Sequence, residues 1–134
     1  MKPFSLLTVV SVAVLATATQ AFAEQKTLYV AGYGGSFEKT IRDEVIPPFE
    51  QANGVKVEYV AGNSTDTLAK LQAQKGNQQI DVAILDDGPM YQAIQLGFCD
   101  KITGLPSAEL YDVAHFKDDR AAAIGLVATG LMDN

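Results

Sequence analysis

Ile80 to Leu85 reads IDVAIL, and Asp86-Asp87-Gly88-Pro89 follows it directly. A nearly continuous apolar run of this length, ended by turn residues, predicts a central parallel strand covered on both faces. Pro89 suits the first turn of a helix, which Met90 to Leu96 continues as far as Gly97.

Two similar units precede this one. Leu28, Tyr29 and Val30 lie in a short β-favouring run from Thr27 to Ala31 that ends in Gly32-Tyr33-Gly34-Gly35. Ser36 is a good N-cap, and behind it Phe37, Ile41, Val45 and Phe49 recur every four residues, which predicts one apolar helix face. Pro47-Pro48 must kink or split that helix, because proline lacks the amide donor and crowds the preceding turn. Asn53-Gly54 stops it. Val55, Val57 and Tyr59 then alternate with Lys56 and Glu58, as in a half-buried strand near a sheet edge. Ser64 is placed to cap a helix whose packing side is Leu68 and Leu71 with Ala69 and Ala73, and Gly76 closes it. Strands alternating with helices in units of this size predict an α/β fold with a parallel sheet and right-handed crossovers.

The two ends carry different information. Lys2 begins a short positive segment, Leu6 to Leu15 is apolar apart from Thr8 and Ser11, and Ala21-Phe22-Ala23 has the small-x-small form of a cleavage site. Residues 1–23 are therefore expected to be a cleaved signal peptide, with the mature chain starting near Glu24 in the periplasm. The apolar run is short for a membrane span, and no lipoprotein-type cysteine stands at the cleavage point. At the other end, Ala121 to Leu131 is again apolar and β-like, with no helix after it to cover it. That pattern predicts an incomplete core, with residues 24–134 forming one unfinished α/β unit.

Charge narrows the function classes. Sixteen acidic residues against ten basic ones give a net charge of −6, and losing Lys2 makes the mature chain more acidic still. No basic tract is present, so a nucleic-acid partner is not expected. The lone Cys99 follows Gly97-Phe98 and reads as a buried small hydrophobe, or as half of a disulfide to a cysteine outside this sequence. The lone His115 reads as a surface residue, and no metal site or cofactor is expected.

In an open parallel sheet, ligands lie beyond the C-terminal strand ends. That rule gathers Tyr33 to Ser36, Gly62 to Thr65 and Asp86 to Pro89. Gly34-Gly35-Ser36 reads either as an anion-binding helix N-terminus or as a tight turn with a cap. Ser64-Thr65 has the same two readings. Asp86 and Asp87, beside Gly88, are placed to bind an amine or to cap the helix they precede. Tyr33 either presents its face to a cation or packs at the strand end. No GxGxxG, Walker, nucleophile-elbow or Ser/His/Asp pattern is present, so no enzyme activity is expected.

Four stretches carry a family resemblance: YVAGYGGSFEKTI, VIPPFEQANGVKVEYV, TDTLAKLQAQ and DVAILDDGPMYQAIQLGFCDKI. Together they make residues 28–102 resemble the N-terminal lobe of solute-binding proteins of ABC transporters, most closely the spermidine/putrescine branch. AAAIGLVATGLMDN resembles the segment leading to the lobe crossover, although the family usually has an aromatic near Asp133. The resemblance implies two α/β lobes closing on a ligand, of which this chain holds the first. It implies a monomeric, non-catalytic receptor that delivers a small polar solute, a polyamine first of all, to an inner-membrane ABC permease. The competing expectations are a ferric ion, an amino-acid-like or anionic solute, and a truncated fragment without independent function. By resemblance the Gly34-Gly35-Ser36, Ser64-Thr65 and Asp86-Asp87-Gly88 loops fall on the cleft side.

Overall fold

Ala31 is fully buried at the middle of a three-stranded parallel sheet, in a computed structural model that describes residues 25–127. The strands are β1 (Thr27–Gly32), β2 (Lys56–Ala61) and β3 (Val82–Ala83), in the spatial order β2-β1-β3. β1 aligns Thr27 with Lys56 and Gly32 with Ala61 on one side, and Val30 with Val82 on the other. Helical connections join them: α1 (Gly35–Thr40), a π-helical turn (Ile41–Val45) and α2 (Ile46–Asn53), then α3 (Ser64–Ala73). α4 (Asp87–Gln95) follows β3, and short 3-10 turns at Ser107–Glu109, Asp112–Ala114 and Lys117–Asp119 follow α4. The signal-peptide reading of residues 1–23, Ala128 to Leu131 and Asp133 lie outside the described residues.

The expected α/β fold with a parallel sheet is present, with β1 rather than the apolar run in the middle of the three described strands. Among the described residues the IDVAIL strand lies at the edge: it pairs with β1 alone, and Val82 is 48% exposed. At the end of β1, a methyl on Gly32 would stand 2.5 Å from Tyr59 Oη and 3.3 Å from Ile84 Cδ1, so glycine there leaves room for side chains from both neighbouring segments. β2 occupies the other edge, with Val57 and Tyr59 buried as the alternation predicts.

One face of the sheet holds the core. Leu68 and Leu71 of α3 meet Ala93 of α4, with Ile80, Ala83, Leu85, Phe98 and Cys99 packed against them. Thr67 and Ser64 complete the buried side of α3, while Ala69 and Ala73 are exposed, which corrects their assignment to the packing side. Cys99 behaves as a small hydrophobe, and burial pushes its thiol above the ordinary value. His115 is exposed.

The prolines act as expected and shift the helix face as well. Ile46 N–H reaches back five residues to Ile41, and Pro47 and Pro48 then occupy the first turn of α2, where amides have no helical partner. The extra residue in the π turn rotates α2 relative to α1. Phe37 and Ile41 stay half-buried, whereas Val45 and Phe49 are 49% and 43% exposed, so the four-residue stripe is broken. Gly54 ends α2 in the left-handed region at φ 64°. The apolar segment from Ala121 forms no strand within the described residues. It makes one antiparallel bridge, Ala122 to His115, and Ile124, Leu126 and Val127 are exposed. β-favouring composition without a neighbouring strand to pair with leaves such a segment irregular.

Candidate functional site

The chain passes from β1 to β2 on one side, while β3 pairs on the other, so strand order reverses at the C-terminal ends of β1 and β3. Such a reversal opens a crevice between the loops that leave the two strands. Tyr33 follows β1, Asp86 follows β3, and Ser64 opens α3 after β2.

These three side chains form a continuous hydrogen-bonded row. Tyr33 Oη lies 2.8 Å from Ser64 Oγ, and Ser64 Oγ donates to Asp86 Oδ2 over 2.9 Å. The Asp86 backbone amide also donates to Ser64 Oγ, again over 2.9 Å. A serine hydroxyl has one hydrogen and two acceptor positions. Its hydrogen goes to the carboxylate and one acceptor position takes the Asp86 amide, so Tyr33 must donate into the other. The row therefore runs Tyr33 to Ser64 to Asp86 in one direction. Ser64 is fully used and only 5% exposed. What the row leaves unused, among the described residues, are acceptors: the remaining lone pairs of the Tyr33 phenol and Oδ1 of Asp86.

Electrostatics fit this arrangement. Burial pushes the Tyr33 phenol above its ordinary value, the Ser64 bond opposes that, and the nearby negative charge of Asp86 adds to it. Tyr33 thus stays a neutral hydroxyl. Its ring meets Phe37 edge to face, with centroids 5.6 Å apart, so it packs at the strand end as one of its two readings held.

Two expected caps are corrected. Gly34, not Ser36, is the N-cap of α1, and it makes no side-chain capping bond. Asn63, not Ser64, caps α3, its Oδ1 accepting the Asp66 amide over 2.8 Å. Ser64 sits one position further in, where its hydroxyl finds tertiary partners instead. Asp86 occupies the N-cap position of α4, yet its carboxylate is turned to Ser64 and makes no capping bond. Asp87 Oδ1 accepts the Gly88 amide, a local contact. Gly34, Gly35, Ser36, Thr65, Asp87 and Gly88 are exposed around the row. At the Gly34 loop, Glu38 lies in the first turn of α1 and already answers the positive helix end.

Sequence reasoning missed Tyr59 and Arg42. Tyr59 Oη donates to the Tyr33 carbonyl over 2.8 Å, and the Arg42 guanidinium lies over its ring, 5.4 Å from the centroid. Arg42 Nη2 also donates to the Tyr59 carbonyl, while Arg42 Nε pairs with Glu38, four residues back. The available signal was a tyrosine at a buried strand position, whose hydroxyl needs a partner.

Comparison with known proteins agrees with this architecture. A family model described as bacterial extracellular solute-binding protein matches residues 44–132. No curated protein matches the chain. Among solved structures, one described as an extracellular solute-binding protein from Bordetella parapertussis is similar, with a TM-score of 0.55 and 31% sequence identity. The match covers 57% of this chain and 24% of that protein, so the chain spans only a minor part of its length. With the family model covering more than half of its sequence, the chain belongs to the bacterial extracellular solute-binding protein family.

Proposed function

We propose that this chain supplies one wall of a solute site that takes a protonated amine, a polyamine such as putrescine or spermidine first of all. The observation that carries the reading is the direction of the Tyr33–Ser64–Asp86 row. Because the Tyr33 and Ser64 hydroxyl hydrogens and the Asp86 amide are all used within the row, the row is left with a carboxylate oxygen and phenol lone pairs, which suit an ammonium group better than an anion. A ferric guest would call for a cluster of oxygen or imidazole ligands, and among the described residues no group of three or more His, Cys, Asp or Glu side chains is placed to hold a metal ion. Around the row, Gly34, Gly35, Ser36, Thr65, Asp87 and Gly88 form the rim of the same wall.

The receptor acts without catalysis, in the periplasm once residues 1–23 are removed, and as a monomer that passes its solute to an ABC permease of the inner membrane. Proteins of this kind close two lobes on the ligand, and residues 24–134 provide the first. Taken alone, those residues bind putrescine weakly or not at all. Calorimetric titration of the product of the whole open reading frame with putrescine, spermidine, 4-aminobutyrate and ferric ion tests the reading. Binding of the diamine or triamine supports it. Binding of ferric ion with neither amine bound overturns it.

A further inference from the structure

We propose that Tyr59 is the positioning residue of this site, holding the Tyr33 carbonyl so that the Tyr33 hydroxyl meets Ser64. This rests on reading the Tyr33–Ser64–Asp86 row as the solute-binding wall. β2 is otherwise aliphatic on its buried side, and a phenylalanine at position 59 would fill the same volume without a hydroxyl to satisfy. The phenol is buried, with the residue 5% exposed, and its hydroxyl goes to one acceptor, the carbonyl of the residue that begins the row. That carbonyl lies where the chain leaves β1, so fixing it fixes the start of the loop.

The Tyr59 ring is itself held from several sides. Arg42 covers it, 5.4 Å from the centroid, and ties its guanidinium to the Tyr59 carbonyl over 2.8 Å. Glu38 anchors Arg42 from the preceding turn over 2.8 Å. Gly32 leaves room for the hydroxyl, since a methyl there would stand 2.5 Å from Oη and 3.2 Å from Cζ. The π-helical turn begins at Ile41, so Arg42 lies within the widened segment just ahead of the two prolines. Glu38, Arg42, Tyr59, Tyr33, Ser64 and Asp86 thus form one chain of contacts from the outer helix to the strand ends.

The test is Tyr59→Phe in the full chain, with tyrosines labelled at 13Cζ and Tyr33 assigned by its loss in Tyr33→Phe. In the parent chain the Tyr33 resonance titrates above the ordinary tyrosine value. In Tyr59→Phe its midpoint moves back toward that value, because the loosened loop lets water reach the phenol. Arg42→Gln, which removes the guanidinium covering the Tyr59 ring and leaves the Tyr59 hydroxyl in place, moves it in the same direction and replaces Tyr59→Phe should that variant fail to fold. Tyr29→Phe, at the opposite strand end, leaves it unchanged. An unmoved Tyr33 midpoint in both Tyr59→Phe and Arg42→Gln overturns the positioning role. Putrescine affinity of the whole reading-frame product is read separately and falls about tenfold in Tyr59→Phe. If the parent does not bind putrescine, the amine reading fails while the Tyr33 titration still decides the role of Tyr59.

Discussion

Ser64 and Asp86 are tied twice: the Ser64 hydroxyl donates to the Asp86 carboxylate and accepts the Asp86 amide, both over 2.9 Å. The pair joins the start of α3 to the end of β3 across the crevice, so a local serine becomes a tertiary fastener. Everything proposed for the site depends on this junction.

Ser64→Ala should therefore cost stability as well as binding. It leaves a part-buried backbone amide and the Tyr33 phenol without their acceptor, which costs about 1–3 kcal/mol. Urea unfolding followed by circular dichroism measures this as a lower midpoint at unchanged slope. An unaltered midpoint would show that the junction adds nothing to the fold.

The packing of α3 makes a sharper contrast. Leu71 is 5% exposed in the core cluster, so Leu71→Ala should destabilise by about 2–5 kcal/mol. Ala69 is exposed on the same helix, and Ala69→Ser should stay within about 0.5 kcal/mol of the parent. Comparable losses from both would place the helix in a different rotation.

That rotation marks where the sequence was readable and where it was not. The alternating units, the parallel sheet and the three loops at the strand ends were all legible, because periodicity and glycine or proline punctuation are local signals. Strand order was not, since IDVAIL is apolar enough for the middle of a sheet yet pairs only with β1 among the described residues. Which strands pair is settled by contacts between distant segments, such as the room Gly32 leaves for the side chains of Tyr59 and Ile84, and no local pattern records these. The caps failed for a related reason. Ser64 has every local mark of an N-cap, but its hydroxyl is claimed by Tyr33 and Asp86 from distant segments, and Asn63 takes the cap. The break in the Phe37-to-Phe49 stripe comes from a π turn that four-residue spacing cannot reveal.

Alkaline pH should weaken the fold. Tyr33 and Tyr59 are both raised above the ordinary 10.0, chiefly by burial, so the unfolded chain releases these protons first. The unfolded state then binds fewer protons than the native one, and stability falls as pH rises past about 10. Cys99, raised by burial from 9.0, adds a loss of the same sign that begins lower. Below these values the contribution is fully present and flat. Urea midpoints taken from about pH 8 to about pH 11 should fall above about 10, and fall less steeply in Tyr33→Phe/Tyr59→Phe. An equal slope in that double variant would show that other groups govern the alkaline limb.

The central claim is that Asp86 makes the site a receptor for ammonium. The direct measurement is calorimetric titration of the whole reading-frame product, and of its Asp86→Asn variant, with putrescine and with succinate, a dianion of matching length. Asparagine keeps the shape and an acceptor for Ser64 but removes the charge, so putrescine affinity should fall at least about tenfold, with succinate silent in the parent. Succinate binding to the parent, or putrescine binding unchanged in Asp86→Asn, would contradict the account.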